Sequence, residues 1–101
     1  MLTVEEIEER MEANYEPALK MLPPDLQNEF RTKALTLKEL KEFAPFIRTT
    51  TEFEGRASTG LTMRKIGRKV TVMAFQSKLV AAGIRPDDFY GALLKGCFQF
   101  D

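Results

Sequence analysis

Apolar residues recur every three or four positions through most of this chain, and prolines and glycines break the pattern into segments. Val4, Ile7 and Met11 keep helical spacing while glutamates fill the opposite side, so the chain opens with an amphipathic helix. Thr3 and Glu6 have the spacing of a capping box, in which each side chain satisfies the other residue's orphan backbone N–H. Pro17 is expected to end or kink this helix near Tyr15 or Glu16, because it lacks a donor and its ring crowds the preceding turn. A short segment, Ala18 to Leu22, then runs into Pro23-Pro24, which forces a break. Pro24 suits the first position of a new helix, with Asp25 favourable in its first turn and Leu26 and Phe30 one turn apart.

Thr36 and Glu39 form a second capping box, ahead of an apolar stripe of Leu37, Leu40, Phe43 and Ala44. Pro45 marks the expected end of that helix, with Phe46 and Ile47 packing beneath the turn. Residues 48–60 are rich in Thr, Gly and charge and read as the longest loop or hinge of the chain. The strongest periodicity follows, over residues 61–84. Met63, Ile66, Val70, Met73, Val80 and Ile84 alternate steps of three and four, interrupted by Ser77. Gly60, Gly67, Ala74 and Ala81 repeat every seven residues beside them, a spacing that lets a neighbouring helix approach closely. This predicts one long helix closed by Gly83 in a left-handed conformation, with Ile84 folding back as its apolar contact. The competing reading is a strand over Lys69–Phe75, where β-branched residues cluster, paired in a hairpin with Thr49–Ala57. Arg85-Pro86-Asp87-Asp88 opens the last helix, on which Phe89, Leu93 and Cys97 share a face beside Tyr90 and Leu94. Gly96 is its expected end. The fold class is therefore mostly α, a compact single-domain helical bundle of about four to five helices over residues 1–101. An α+β fold with a short hairpin around 49–75 is the alternative.

Charge adds a second layer. Residues 1–30 hold eight acids against two bases, a net of −6, and residues 31–78 hold eleven bases against four acids, a net of +7. The remainder carries −1, so the chain is formally neutral yet electrostatically divided. Two such blocks either attract each other within one molecule or recruit a partner. The chain holds one cysteine and no histidine, which rules out an intramolecular disulfide and removes the commonest general base and metal ligand. The acidic, amphipathic start is unlike a secretory signal, and no apolar run approaches the ~18 residues of a membrane span. A cytoplasmic protein without membrane association is expected.

The sharpest candidate site is basic. On a helix, Arg64 and Arg68 lie one turn apart, as do Lys65 and Lys69, all pointing away from the apolar stripe. They fall in the helix's N-terminal half, where the macrodipole disfavours positive charge, so stability alone does not account for them. Arg56 and Lys78 extend the set. The plain alternative is that these residues face solvent or pair with the glutamates of the first helix, Glu5, Glu8, Glu9, Glu12 and Glu16, which could themselves dock a basic protein. Residues 79–89 have the outline of a helix-turn-helix, but Asp87 and Asp88 would lead its second helix into repulsion with phosphates, so a plain αα-corner is preferred. Cys97 lacks a neighbouring base and reads as core. Phe98 and Phe100 either close the core or form a docking tail.

These features point to a small non-enzymatic binding or regulatory protein without cofactor or metal. It would use Arg64, Lys65, Arg68 and Lys69, with Arg56 and Lys78, to dock an acidic or phosphate-bearing macromolecule. A protein partner is preferred to nucleic acid, because no aromatics interleave with the basic residues as a stacking platform requires. An inhibitor encoded by a phage or mobile element is one origin consistent with its size. Nucleic-acid binding through the same face and a structural homo-oligomer are the alternatives.

Overall fold

The first helix, α1 (Val4–Leu19), is the spine of the molecule in a computed structural model that describes residues 2–49 and 72–98. It starts at the expected capping box: the Thr3 hydroxyl accepts from the Glu6 N–H and the Glu6 carboxylate accepts from the Thr3 N–H, both at 3.1 Å. That backbone donor, followed by the Thr3 hydroxyl, holds the Glu6 carboxyl below its ordinary pKa. Ile7, Met11, Tyr15, Ala18 and Leu19 are buried along one stripe, which packs against the C-terminal helix on one side and the middle helices on the other.

Pro17 does not end α1 near Tyr15 or Glu16, the first of the two outcomes expected of it. It sits in the last turn with its ring exposed, so only one backbone donor is lost. Continuing the helix places Ala18, Leu19 and then Leu22 in the core, and their burial outweighs that loss. The break comes at Pro23-Pro24. Pro24 opens α2 (Pro24–Glu29), which runs into a π-helical turn over Phe30–Ala34, closed by Leu35 N–H donating to the Phe30 carbonyl at 2.9 Å. The wider turn carries both Ala34 and Leu35 into the core with Phe30, and all three are buried.

The second capping box, Thr36 with Glu39, starts α3 (Leu37–Lys41) as expected. Pro45 opens a helix where the sequence suggested that it closes one. It is the second residue of α4 (Ala44–Thr49), where a missing N–H leaves no hydrogen bond unmade. Ile47 is thereby buried and Phe46 packs against the core from within a helix. Arg48 and Thr49, assigned to a loop or strand start by composition, are helical. The rest of the 48–60 stretch and of the 49–57 hairpin segment lies outside the described residues.

The next described helix, α5 (Val72–Ala81), covers the second half of the long periodic segment, and its helical state replaces the strand reading at Val72–Phe75. Its end is as expected. Gly83 takes φ +77°, its N–H donates to the Val80 carbonyl at 3.0 Å, and the Ile84 N–H donates back to the Leu79 carbonyl at 2.9 Å. That pair of bonds is a Schellman motif, and Ile84 packs on the core. The helix's phase, however, differs from the periodic stripe. Phe75 and Leu79 are buried, whereas Val80, a stripe member, is 61% exposed. Arg85 then leads into α6 (Pro86–Leu93), whose Phe89, Tyr90 and Leu93 are buried together with Leu94, Cys97 and Phe98 after it. Gly96 takes φ +73° in the turn beyond the helix.

One core joins these elements, so the fold is a mostly α, single-domain helical bundle. Its centre is Phe30, whose ring meets Phe75 at 5.3 Å, Phe89 at 5.0 Å and Tyr15 at 6.3 Å between centroids, the first two edge-on. The C-terminal turn is tied to α1 by side chains. Arg10 donates to the Gly96 carbonyl, and Asn14 donates to the carbonyls of Leu93 and Lys95 at 3.2 and 2.8 Å. These bonds satisfy carbonyls that a helix end leaves without partners.

Candidate functional site

The folded chain brings its two charge blocks together. Glu16 accepts a two-pronged contact from Arg31, at 3.2 Å from Nε and 2.7 Å from Nη2. Glu12 accepts from the Lys41 ammonium at 2.9 Å, and Glu29 from Lys78. Each of these ion pairs joins an acid of residues 1–30 to a base of residues 31–78. Hydrogen bonding from Arg31 holds the Glu16 carboxyl below its ordinary pKa, and the same contact raises the guanidinium. Each pair has at least one well-exposed partner, so solvent screens it and its contribution to stability is small. Their significance lies in their distribution: Glu12 and Glu16 of the acidic helix face are already met from within the molecule, by Lys41 and Arg31.

Of the predicted binding residues, Lys78 lies on the exposed side of α5 and holds Glu29. Arg56, Arg64, Lys65, Arg68 and Lys69 lie outside the described residues, as do Met63, Ile66, Val70 and Phe100. Glu5 and Glu9 are exposed on α1. Cys97 is fully buried, with its thiol 3.9 Å from the Lys95 carbonyl, in keeping with a core residue. Phe98 is buried and closes the core, which removes half of the aromatic tail proposed from sequence. The α5–Gly83–α6 corner has the helix-turn-helix outline, but Asp87 and Asp88 are exposed at the start of its second helix while Phe89, Tyr90 and Leu93 bind that helix to the core. Among the described residues, no group of three or more acids, cysteines or histidines is arranged to hold a metal, and no helix is long and apolar enough to cross a membrane.

No protein-family model, curated protein or solved structure matches this chain. Function must therefore be argued from its own surface.

An open groove of about 540 Å³ is the feature that sequence reasoning missed. Glu8 of α1, Leu37, Lys38 and Lys41 of α3, Glu42 after it and Pro45 of α4 line it. The apolar spacing counts Leu37 in a core stripe, and the charge pattern counts Glu8 in an acidic helix face. Leu37 is only half-buried, which leaves an apolar floor between charged walls. The i, i+4 spacing of Lys38 and Glu42 is visible in the sequence, but the approach of α1 to α3 is not.

Two buried tyrosines differ in how their hydroxyls are met. Tyr15 donates to the Leu35 carbonyl at 2.5 Å, whereas the Tyr90 hydroxyl is buried with no hydrogen-bond partner. Burial raises both to about 12, with nearby Asp87 adding to the effect at Tyr90. The unfolded chain loses these protons near pH 10 and the native chain does not, so their contribution to stability is complete below about pH 10 and is lost as pH rises through about 12. Tyr15→Phe should cost about 1 kcal/mol at neutral pH, because it strands a buried carbonyl. Tyr90→Phe should be neutral or stabilising at neutral pH and should reduce the alkaline loss. Urea titrations across this range, followed with tyrosinate absorbance, check both. A larger neutral-pH loss for Tyr90→Phe than for Tyr15→Phe would contradict this assignment.

Proposed function

We propose that this protein is a small non-enzymatic binding module that docks a larger acidic macromolecule, protein in preference to nucleic acid, through Arg64, Lys65, Arg68 and Lys69, flanked by Arg56. One observation carries this reading: Glu12, Glu16 and Glu29 are taken by Lys41, Arg31 and Lys78, none of which belongs to that cluster. The intramolecular alternative, in which the first helix neutralises the cluster, has correspondingly fewer carboxylates to draw on. Lys78 is the weakest member of the set, since engaging a partner means sharing or releasing Glu29. Regulation or inhibition of the partner is the role that fits a protein of this size acting by occupancy.

The test replaces Arg64, Lys65, Arg68 and Lys69 together by Gln. The expected result is unchanged folding, with loss of binding to a poly-glutamate peptide measured by fluorescence anisotropy. Duplex DNA serves as the competing probe. Tighter binding to DNA, with a log–log salt slope near −0.9 per neutralised phosphate, would replace the protein-partner reading with the nucleic-acid one. A variant that is destabilised at low salt and recovers at high salt would place the cluster in internal ion pairs and defeat the proposal.

A further inference from the structure

We infer that the groove between α1, α3 and α4 is a second docking site, shaped for one aliphatic side chain carried on a basic peptide segment of a partner protein. Its floor supplies the apolar part. Leu37 packs on the core from one side and remains half-exposed on the other, and Pro45 is exposed beside it. A volume of about 540 Å³ accepts a side chain with its flanking backbone and falls within the range of small binding sites, roughly 300–1,000 Å³.

The walls decide the charge of the occupant. Glu8 and Glu42 come from different elements and both line the groove. Of the two lysines there, Lys41 is committed to Glu12 at 2.9 Å, so its charge is already met. The lining itself holds two acids and two bases, and counting Glu12, which holds Lys41, leaves a local excess of one negative charge. Glu5 and Glu9 extend that field along the exposed surface of α1. A basic segment gains from this field, whereas an acidic one is repelled. The site is thus opposite in sign to the Arg64–Lys69 cluster and calls for a different ligand chemistry.

Amide chemical-shift mapping on the full chain tests the inference with three short capped peptides. They are Gly-Lys-Leu-Arg-Gly, the same peptide with Ser in place of Leu, and Gly-Glu-Leu-Glu-Gly. The first should shift the amides of Glu8, Leu37, Lys38, Lys41 and Glu42, and the other two should bind more weakly. The double substitution Glu8→Gln with Glu42→Gln changes exposed or half-exposed side chains and should leave the fold intact. It should weaken the first peptide roughly tenfold, since two screened charge contacts are removed. Leu37→Ala should weaken the leucine peptide and leave the serine peptide unchanged. No shifts at these residues, equal binding of the acidic peptide, or full binding to the double variant would each overturn the assignment. None of these outcomes bears on the basic cluster.

Discussion

Phe30→Ala should lower the free energy of unfolding by about 3–5 kcal/mol, the largest loss expected from a single side chain in this protein. Phe30 is fully buried and sits where three parts of the chain meet. Its ring contacts Tyr15 from α1, Phe75 from α5 and Phe89 from α6. Truncation therefore removes the transfer contribution of the ring, two edge-on aromatic contacts and the packing that holds α5 to the rest. The neighbours belong to separate helices and cannot all collapse into the space without moving backbone. A domain of this size has a total stability of about 5–15 kcal/mol, so the variant should be partly unfolded at physiological temperature. Urea denaturation with an unchanged m-value checks it. A loss below about 1 kcal/mol would mean that the aromatic cluster does not hold the fold together.

Leu79→Ala and Val80→Ala should separate sharply, by about 2–5 kcal/mol against less than ~0.5 kcal/mol. The two residues are adjacent, both aliphatic and both inside α5, and the small propensity difference between Leu and β-branched Val is far below the contrast expected from burial. Leu79 is fully buried, and its carbonyl also accepts the Ile84 N–H that closes the helix. Val80 is 61% exposed. The three-and-four periodicity of residues 63–84 predicts the reverse order, because it counts Val80 in the stripe and omits Phe75 and Leu79. Parallel urea titrations of the two variants decide between the phases. Equal losses, or a larger loss at Val80, would return the helix to the orientation that the periodicity suggests.

The fold's local grammar was legible in the sequence wherever a single turn decides the outcome. Thr3 with Glu6, Thr36 with Glu39, Pro24 at a helix start and Gly83 at a helix end all depend on bonds between residues a few positions apart, and each forms as expected. Pro17 and Pro45 were misread for a common reason. A proline's local effect is defined, but whether it ends a helix, rides in a last turn or opens a new one depends on what the following residues bury. Ala18, Leu19, Ala44 and Ile47 are all buried, and that burial settled both cases.

The sequence by itself determined the helical class, the starts of α1, α2, α3 and α6, the helix end at Gly83, the sorting of charge and the assignment of Cys97 to the core. Each follows from composition or from contacts along one helix, which require no knowledge of neighbours. Only the tertiary structure decided which face of α5 is buried, because both Val80 and Leu79 are apolar and the choice belongs to Phe30 and its partners. It also decided that Glu12, Glu16 and Glu29 meet Lys41, Arg31 and Lys78, and that Glu8 and Leu37 line one groove. Those pairings join residues 15 to 49 positions apart in the chain, a separation that no pattern along one helix encodes.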